Sequence, residues 1–82
     1  MIETPSCEIP VLDATGLRCP LPVLRARKRL LELAPGAVLE VLADDPAADA
    51  DMRAFCAATG HRLLAVYEPR PGVAGFRIAR GP

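Results

Sequence analysis

The chain has 82 residues, 51% of them apolar, enough for one small globular domain and too few for two. Ten Lys and Arg balance ten Asp and Glu, so no global field draws the chain to nucleic acid or to an anionic membrane. No apolar run approaches the roughly 18 residues a membrane helix needs. Glu3 stands where a secretory leader carries positive charge, so the expected location is the cytoplasm.

Residues 1–8 read as a polar lead and 9–82 as a single domain. Pro10-Val11-Leu12-Asp13-Ala14 reads as a short first strand, broken by Thr15-Gly16. From Val23 to Ala34 apolar residues recur at helical spacing, with Arg25, Arg27, Lys28 and Arg29 on the remaining arc. Pro35-Gly36 stops that helix. Ala37 to Ala43 is nearly all apolar, as a strand covered on much of both faces would be. Asp44-Asp45-Pro46 predicts a helix start, a carboxylate cap followed by Pro at the first helical position, with Asp49 and Asp51 near the positive end of the dipole. Met52, Phe55, Cys56 and Thr59 supply its inner face, and Gly60 closes it. Arg62 to Glu68 and Gly75 to Arg80 read as strands joined by Pro69-Arg70-Pro71-Gly72. In the last strand Phe76 and Ile78 face one way, Arg77 and Ala79 the other.

The order β-α-β-α-β-β predicts an α+β fold, a two-layer sandwich with a mixed four-stranded sheet and two helices on one face. A right-handed crossover makes the first two strands parallel, and the last two form an antiparallel hairpin.

Cys7, Cys19 and Cys56, with His61 the single histidine, form no metal-ligand spacing, and an odd count argues against a disulfide framework. No metal and no cofactor is expected. With no Trp and no Gly-rich phosphate loop, the chemistry falls to a thiol. In Gly16-Leu17-Arg18-Cys19-Pro20-Leu21-Pro22 each proline pushes the residue before it out of helical space. Pro22 is then the first helical residue, Leu21 its cap, and Cys19 lies just outside the helix start. The unpaired N–H groups of Val23, Leu24 and Arg25, with the macrodipole, are expected to lower the Cys19 pKa below about 8.5. Arg18 adds to this if its side chain turns inward.

The remaining features carry blander readings. Cys56 lies beside Phe55 on an apolar face and reads as core, His61 as a surface turn residue. Cap and dipole roles explain Asp44, Asp45 and Asp49 without a cation. Arg25, Arg27, Lys28 and Arg29 form either an ordinary solvated face or a docking surface for an acidic patch. Direct nucleic-acid binding is not expected, because stacking aromatics are nearly absent.

The stretch LDATGLRCPLPVL, then ADDPA, then FC and GH before the third strand, resembles the TusA/SirA-like sulfur-carrier (sulfurtransferase) family from Leu12 to Arg80. The family's Cys-Pro-x-Pro signature stands here as Cys19-Pro20-Leu21-Pro22, preceded by Arg18. The resemblance implies the same two-layer fold and a persulfide carried on Cys19. It also implies a cysteine desulfurase or rhodanese as donor and, as acceptor, the next protein of a sulfur relay such as tRNA thiolation or sulfur oxidation. Any tRNA would be held by a later enzyme. Cys7 lies outside the matched stretch and inherits no role. Two other classes stay open on the residues alone: a thiol redox protein, although no resolving cysteine lies near Cys19 in sequence, and a non-catalytic regulatory module that binds through the basic helix. The sequence leaves open whether the chain is an enzyme in its own right.

Overall fold

The computed structural model describes residues 9–82, which form β1 (Val11–Asp13), α1 (Leu21–Leu31), β2 (Val38–Ala43), α2 (Ala48–Thr59), β3 (Arg62–Arg70) and β4 (Val73–Ala79). The sheet order is β1-β2-β4-β3, with β1 parallel to β2 and the other pairs antiparallel, the mixed sheet that the element order predicts. Period-two alternation sends Leu39, Val41, Phe76 and Ile78 to the helix side of the sheet, where they are buried. There they meet Ala26 and Leu30 of α1, spaced four apart, and Met52, Phe55 and Cys56 of α2.

Several boundaries differ from expectation for local reasons. Helix α1 begins at Leu21, one residue early, and ends at Leu31. Beyond it, Glu32 and Leu33 donate to the carbonyls of Arg29 and Leu30, three residues back, which tightens the chain out of the α-helix. Leu24 and Leu31 are exposed, so the inner face is narrower than the apolar count implied. Helix α2 starts at Ala48, capped by Ala47 without a side-chain bond, so neither aspartate before Pro46 is the cap. Gly60 ends it with φ 83°, the left-handed residue expected there. Strand β3 runs through Pro69 to Arg70, and the turn shrinks to Pro71-Gly72. An edge strand tolerates proline, which falls here in the register irregularity between Tyr67 and Arg70.

β2 is also less covered than expected. Leu39, Val41 and Ala43 are buried, but Val38, Glu40 and Leu42 are only half-buried on the open face of the sheet. There the Tyr67 ring lies across Gly75: a Cβ at residue 75 would sit 2.5 Å from Tyr67 Cζ. The Arg77 guanidinium lies 5.5 Å from that ring's centroid, and its Nε is 3.1 Å from Glu40 Oε1. The Tyr67 hydroxyl and then the Arg77 cation hold the Glu40 carboxyl below its ordinary range, against partial desolvation.

His61 is not a free turn residue. Its Nδ1 accepts the Gly81 N–H at 2.8 Å and its ring packs 5.5 Å from Phe55, so it fastens the C-terminus to α2.

Candidate functional site

Because β1 and β2 are parallel, both strands end at the same edge of the sheet, and each passes into a helix on the same face. The loops β1–α1 and β2–α2 therefore lie side by side, and side chains of the second loop hold the backbone of the first. Asp13 Oδ1 accepts both the Thr15 N–H (3.0 Å) and its hydroxyl (2.6 Å), turning the chain out of β1. Asp44 Oδ1 accepts the Gly16 N–H at 2.9 Å. Asp45 Oδ2 accepts the Cys19 N–H at 2.6 Å while its Oδ1 accepts the Ala47 N–H at 3.2 Å. The two aspartates expected to serve only their own helix thus clamp the thiol loop. These donated bonds, the Cys19 N–H foremost, keep the Asp45 carboxyl below its ordinary pKa, and the Arg18 charge adds to the effect.

Cys19 is exposed. It opens onto a shallow hollow of about 370 Å³ lined by Pro20, Val23, Asp51, Ala54 and Phe55. The expected lowering of its pKa is reversed. The Asp51 carboxylate, which lines the same hollow, pushes the pKa up; partial desolvation and the charge of Asp45 act in the same direction. The helix start offers little in return, for reasons visible in the backbone. Pro20 and Pro22 have no N–H. Leu21 donates to the Arg18 carbonyl at 2.8 Å and Leu24 to the Pro20 carbonyl at 3.1 Å. Arg25 falls within the helical ladder once the helix begins at Leu21. Among the described residues, Val23 is then the first-turn donor left without a backbone partner.

Arg18 does not turn towards the sulfur: its guanidinium lies 3.6 Å from Asp44 Oδ1 and is largely exposed. Pro20 is exposed and Pro22 buried beneath the loop. Arg25, Arg27 and Lys28 are exposed, whereas Arg29 is half-buried and lies 3.7 Å from Glu32. Leu21, Leu24 and Leu31 emerge on the same outer side of α1 with Lys28 among them and Arg25 and Arg27 to either side, so exposed apolar and basic residues share a face that starts at the thiol loop. Cys56 is buried, and desolvation pushes its thiol pKa up. Asp49 pairs with Arg53 at 3.1 Å. Cys7 and the lead 1–8 lie outside the described residues. Among the described residues no three His, Cys, Asp or Glu side chains group to hold a metal ion, and no helix is long and apolar enough to cross a membrane.

Sequence reasoning missed Asp51 as a neighbour of the thiol and treated it as a dipole partner. Its spacing held the signal: Ala54 and Phe55, three and four residues on, share its side of α2, and both line the same hollow.

Residues 11–80 match the family model described as sulfurtransferase TusA. A chain from Neisseria meningitidis is 56% identical over 57 residues, 70% of this chain and 77% of its own. The sulfur carrier protein TusA of Pseudomonas entomophila is 51% identical over 57 residues, 70% of this chain and 71% of its own. Among solved structures, the SirA-like protein of Desulfitobacterium hafniense superposes with a TM-score of 0.79 at 32% identity, covering 90% of this chain and all of its own.

Proposed function

We propose, for a chain that belongs to the TusA sulfurtransferase family, that it is a sulfur carrier holding sulfane sulfur as a persulfide on Cys19. The observation that carries this reading is the placement of Cys19, an exposed thiol whose backbone is clamped by Asp45 where the two parallel strands end. In the loading step the Cys19 thiolate attacks the outer sulfur of a donor persulfide. A bond forms from Cys19 Sγ to that sulfur, the donor's S–S bond breaks, and the donor cysteine leaves as a thiolate that takes a proton from water. Delivery repeats the exchange, an acceptor thiolate attacking the outer sulfur and Cys19 leaving as thiolate. Neither step needs an external oxidant, reductant or cofactor.

The donor is a cysteine desulfurase or rhodanese, the acceptor is a thiol of the next relay protein, and the setting is the cytoplasm. The outer face of α1, where Leu21, Leu24 and Leu31 surround Lys28 and Arg25 and Arg27 stand to either side, supports docking of a partner surface that combines acidic and apolar groups. A thiol redox role is weaker, since among the described residues the other cysteine, Cys56, is buried and could resolve a Cys19 disulfide only after the core opens. The test uses a cysteine desulfurase and sulfur-radiolabelled cysteine. The wild type should take up label that a reducing agent releases, and Cys19→Ser should take up none. Equal labelling of the two would overturn the reading.

A further inference from the structure

The thiol loop combines two features that the carrier role does not require. Cys19 shares a hollow with a carboxylate, and the other walls of that hollow are apolar: Val23, Ala54, Phe55 and the Pro20 ring. The charged groups beside Cys19 are Asp51 of α2, which lines the hollow, and Asp45 of the β2–α2 loop, whose Oδ2 accepts the Cys19 N–H at 2.6 Å. The nearby cation, Arg18 of the thiol's own loop, is directed at Asp44 instead. The sulfur of the free protein therefore sits in a negative environment, although the chain as a whole is neutral.

A carboxylate beside a nucleophilic sulfur disfavours both the thiolate and the approach of an anionic reagent. A cation placed against the carboxylate reverses both effects. We propose that Asp51 restrains Cys19 in the free protein, and that a cationic side chain carried next to the partner's reactive sulfur enters the hollow, engages Asp51 and releases the thiolate for exchange. This rests on Cys19 being the exchanging thiol and adds the charge that its partner must carry. Activation then belongs to the encounter, and the free carrier is protected from adventitious alkylation and oxidation, which need a thiolate. The partner surface is two-signed: a cation at the sulfur, and acidic groups farther along to meet Arg25, Arg27 and Lys28.

Three small disulfides test this without any partner protein: cystamine, which is cationic, hydroxyethyl disulfide, which is neutral, and dithiodiglycolate, which is anionic. Each exchanges with a thiolate by forming a mixed disulfide and expelling one half as a thiolate. Rates are read on the Cys19 peptide by mass spectrometry, as pH profiles, for the wild type, Asp51→Asn and Asp51→Glu. Each is divided by the rate of the same probe with N-acetylcysteine amide, because the leaving thiols differ in acidity. The wild type should react several-fold faster with cystamine than with dithiodiglycolate, a preference that shrinks with added salt. Asp51→Asn should react several-fold faster than wild type with the neutral probe, shift its pH profile down and lose much of the charge preference; Asp51→Glu should restore both. A neutral-probe rate that is unchanged or slower in Asp51→Asn, or a charge preference that survives the change, would overturn the proposal. Thermal unfolding of each variant separates these effects from loss of fold. A chain that shows the expected rates but takes no sulfur from a desulfurase would overturn the carrier role and leave the restraint standing.

Discussion

Phe55→Ala removes the one aromatic side chain that belongs both to the core and to the hollow beside Cys19. Phe55 is 9% exposed, packs in the buried cluster, and its ring also supports His61, which holds the Gly81 N–H. Truncating a buried Phe costs about 3–5 kcal/mol. Because Phe55 lies at the rim of the core, facing an open hollow, its neighbours and water can partly fill the space. The expected cost is therefore at the lower end, about 3 kcal/mol. A domain of this size has only roughly 4–12 kcal/mol of stability in total. At about 4–8 °C per kcal/mol, the melting temperature should fall by roughly 12–24 °C. Circular dichroism on heating and in urea reads the change. Leu24→Ala, a smaller truncation at a residue 50% exposed on α1, serves as the surface control and should cost no more than about 0.5 kcal/mol. Below its melting point the Phe55→Ala variant should keep native helix content and still take sulfur on Cys19, whose clamp to Asp45 does not involve Phe55. A melting temperature within about 4 °C of wild type would refute the core assignment and the packing that forms the hollow.

Three further outcomes follow from other parts of the molecule. Gly75→Ala, which places a Cβ against the Tyr67 ring, should cost about 1–3 kcal/mol in urea unfolding. Adding Tyr67→Ala should cost less in that background than in wild type, and simple additivity would show that the two sites do not touch. Asp13, Glu40 and Asp45 all have pKa values lowered by the fold, so their stabilising contribution is full above the unfolded carboxylate value of about 4. It is lost as pH falls through their lower folded values: urea midpoints should be flat from neutral pH to about 5 and drop in more acidic solution, and a main loss at or above pH 6 would contradict the sign. Reversing Arg25 and Lys28 to Glu should slow association with the donor and flatten its salt dependence; unchanged kinetics across a salt series would make this an ordinary solvated face.

The parts of the fold legible in the sequence were those set by periodicity and by glycine. Phe76 and Ile78 alternate with Arg77 and Ala79, Ala26 and Leu30 are one helical turn apart, and Gly60 stands where a left-handed residue closes the helix. The order of elements then dictated the parallel β1–β2 pair. Tertiary partners were not legible. Asp44 and Asp45 look like caps to any local rule, because local rules see only the following helix; Asp45 does hold the Ala47 N–H there, but Gly16 and Cys19, which the two also bind, are 28 and 26 residues away. His61 was misread for the same reason, since its partner is at the far end of the chain. The position of the reactive thiol was legible from the two prolines around it, but its electrostatics were not. The helix start implied a positive environment, while Asp51, on a helix that packs alongside, makes it negative. A pKa is set by every element that reaches the group, and the sequence shows only the one to which it is attached.

The most direct test of sulfur carriage on Cys19 is the intact mass of the chain after incubation with a cysteine desulfurase and cysteine, followed by mapping of the peptide that gains sulfur. The account predicts the gain of one sulfur atom, removed by a reducing agent and located on the peptide that contains Cys19, with Cys56 unmodified while the protein is folded. A chain that gains no sulfur, or gains it equally at another cysteine when Cys19 is replaced by Ser, would contradict it.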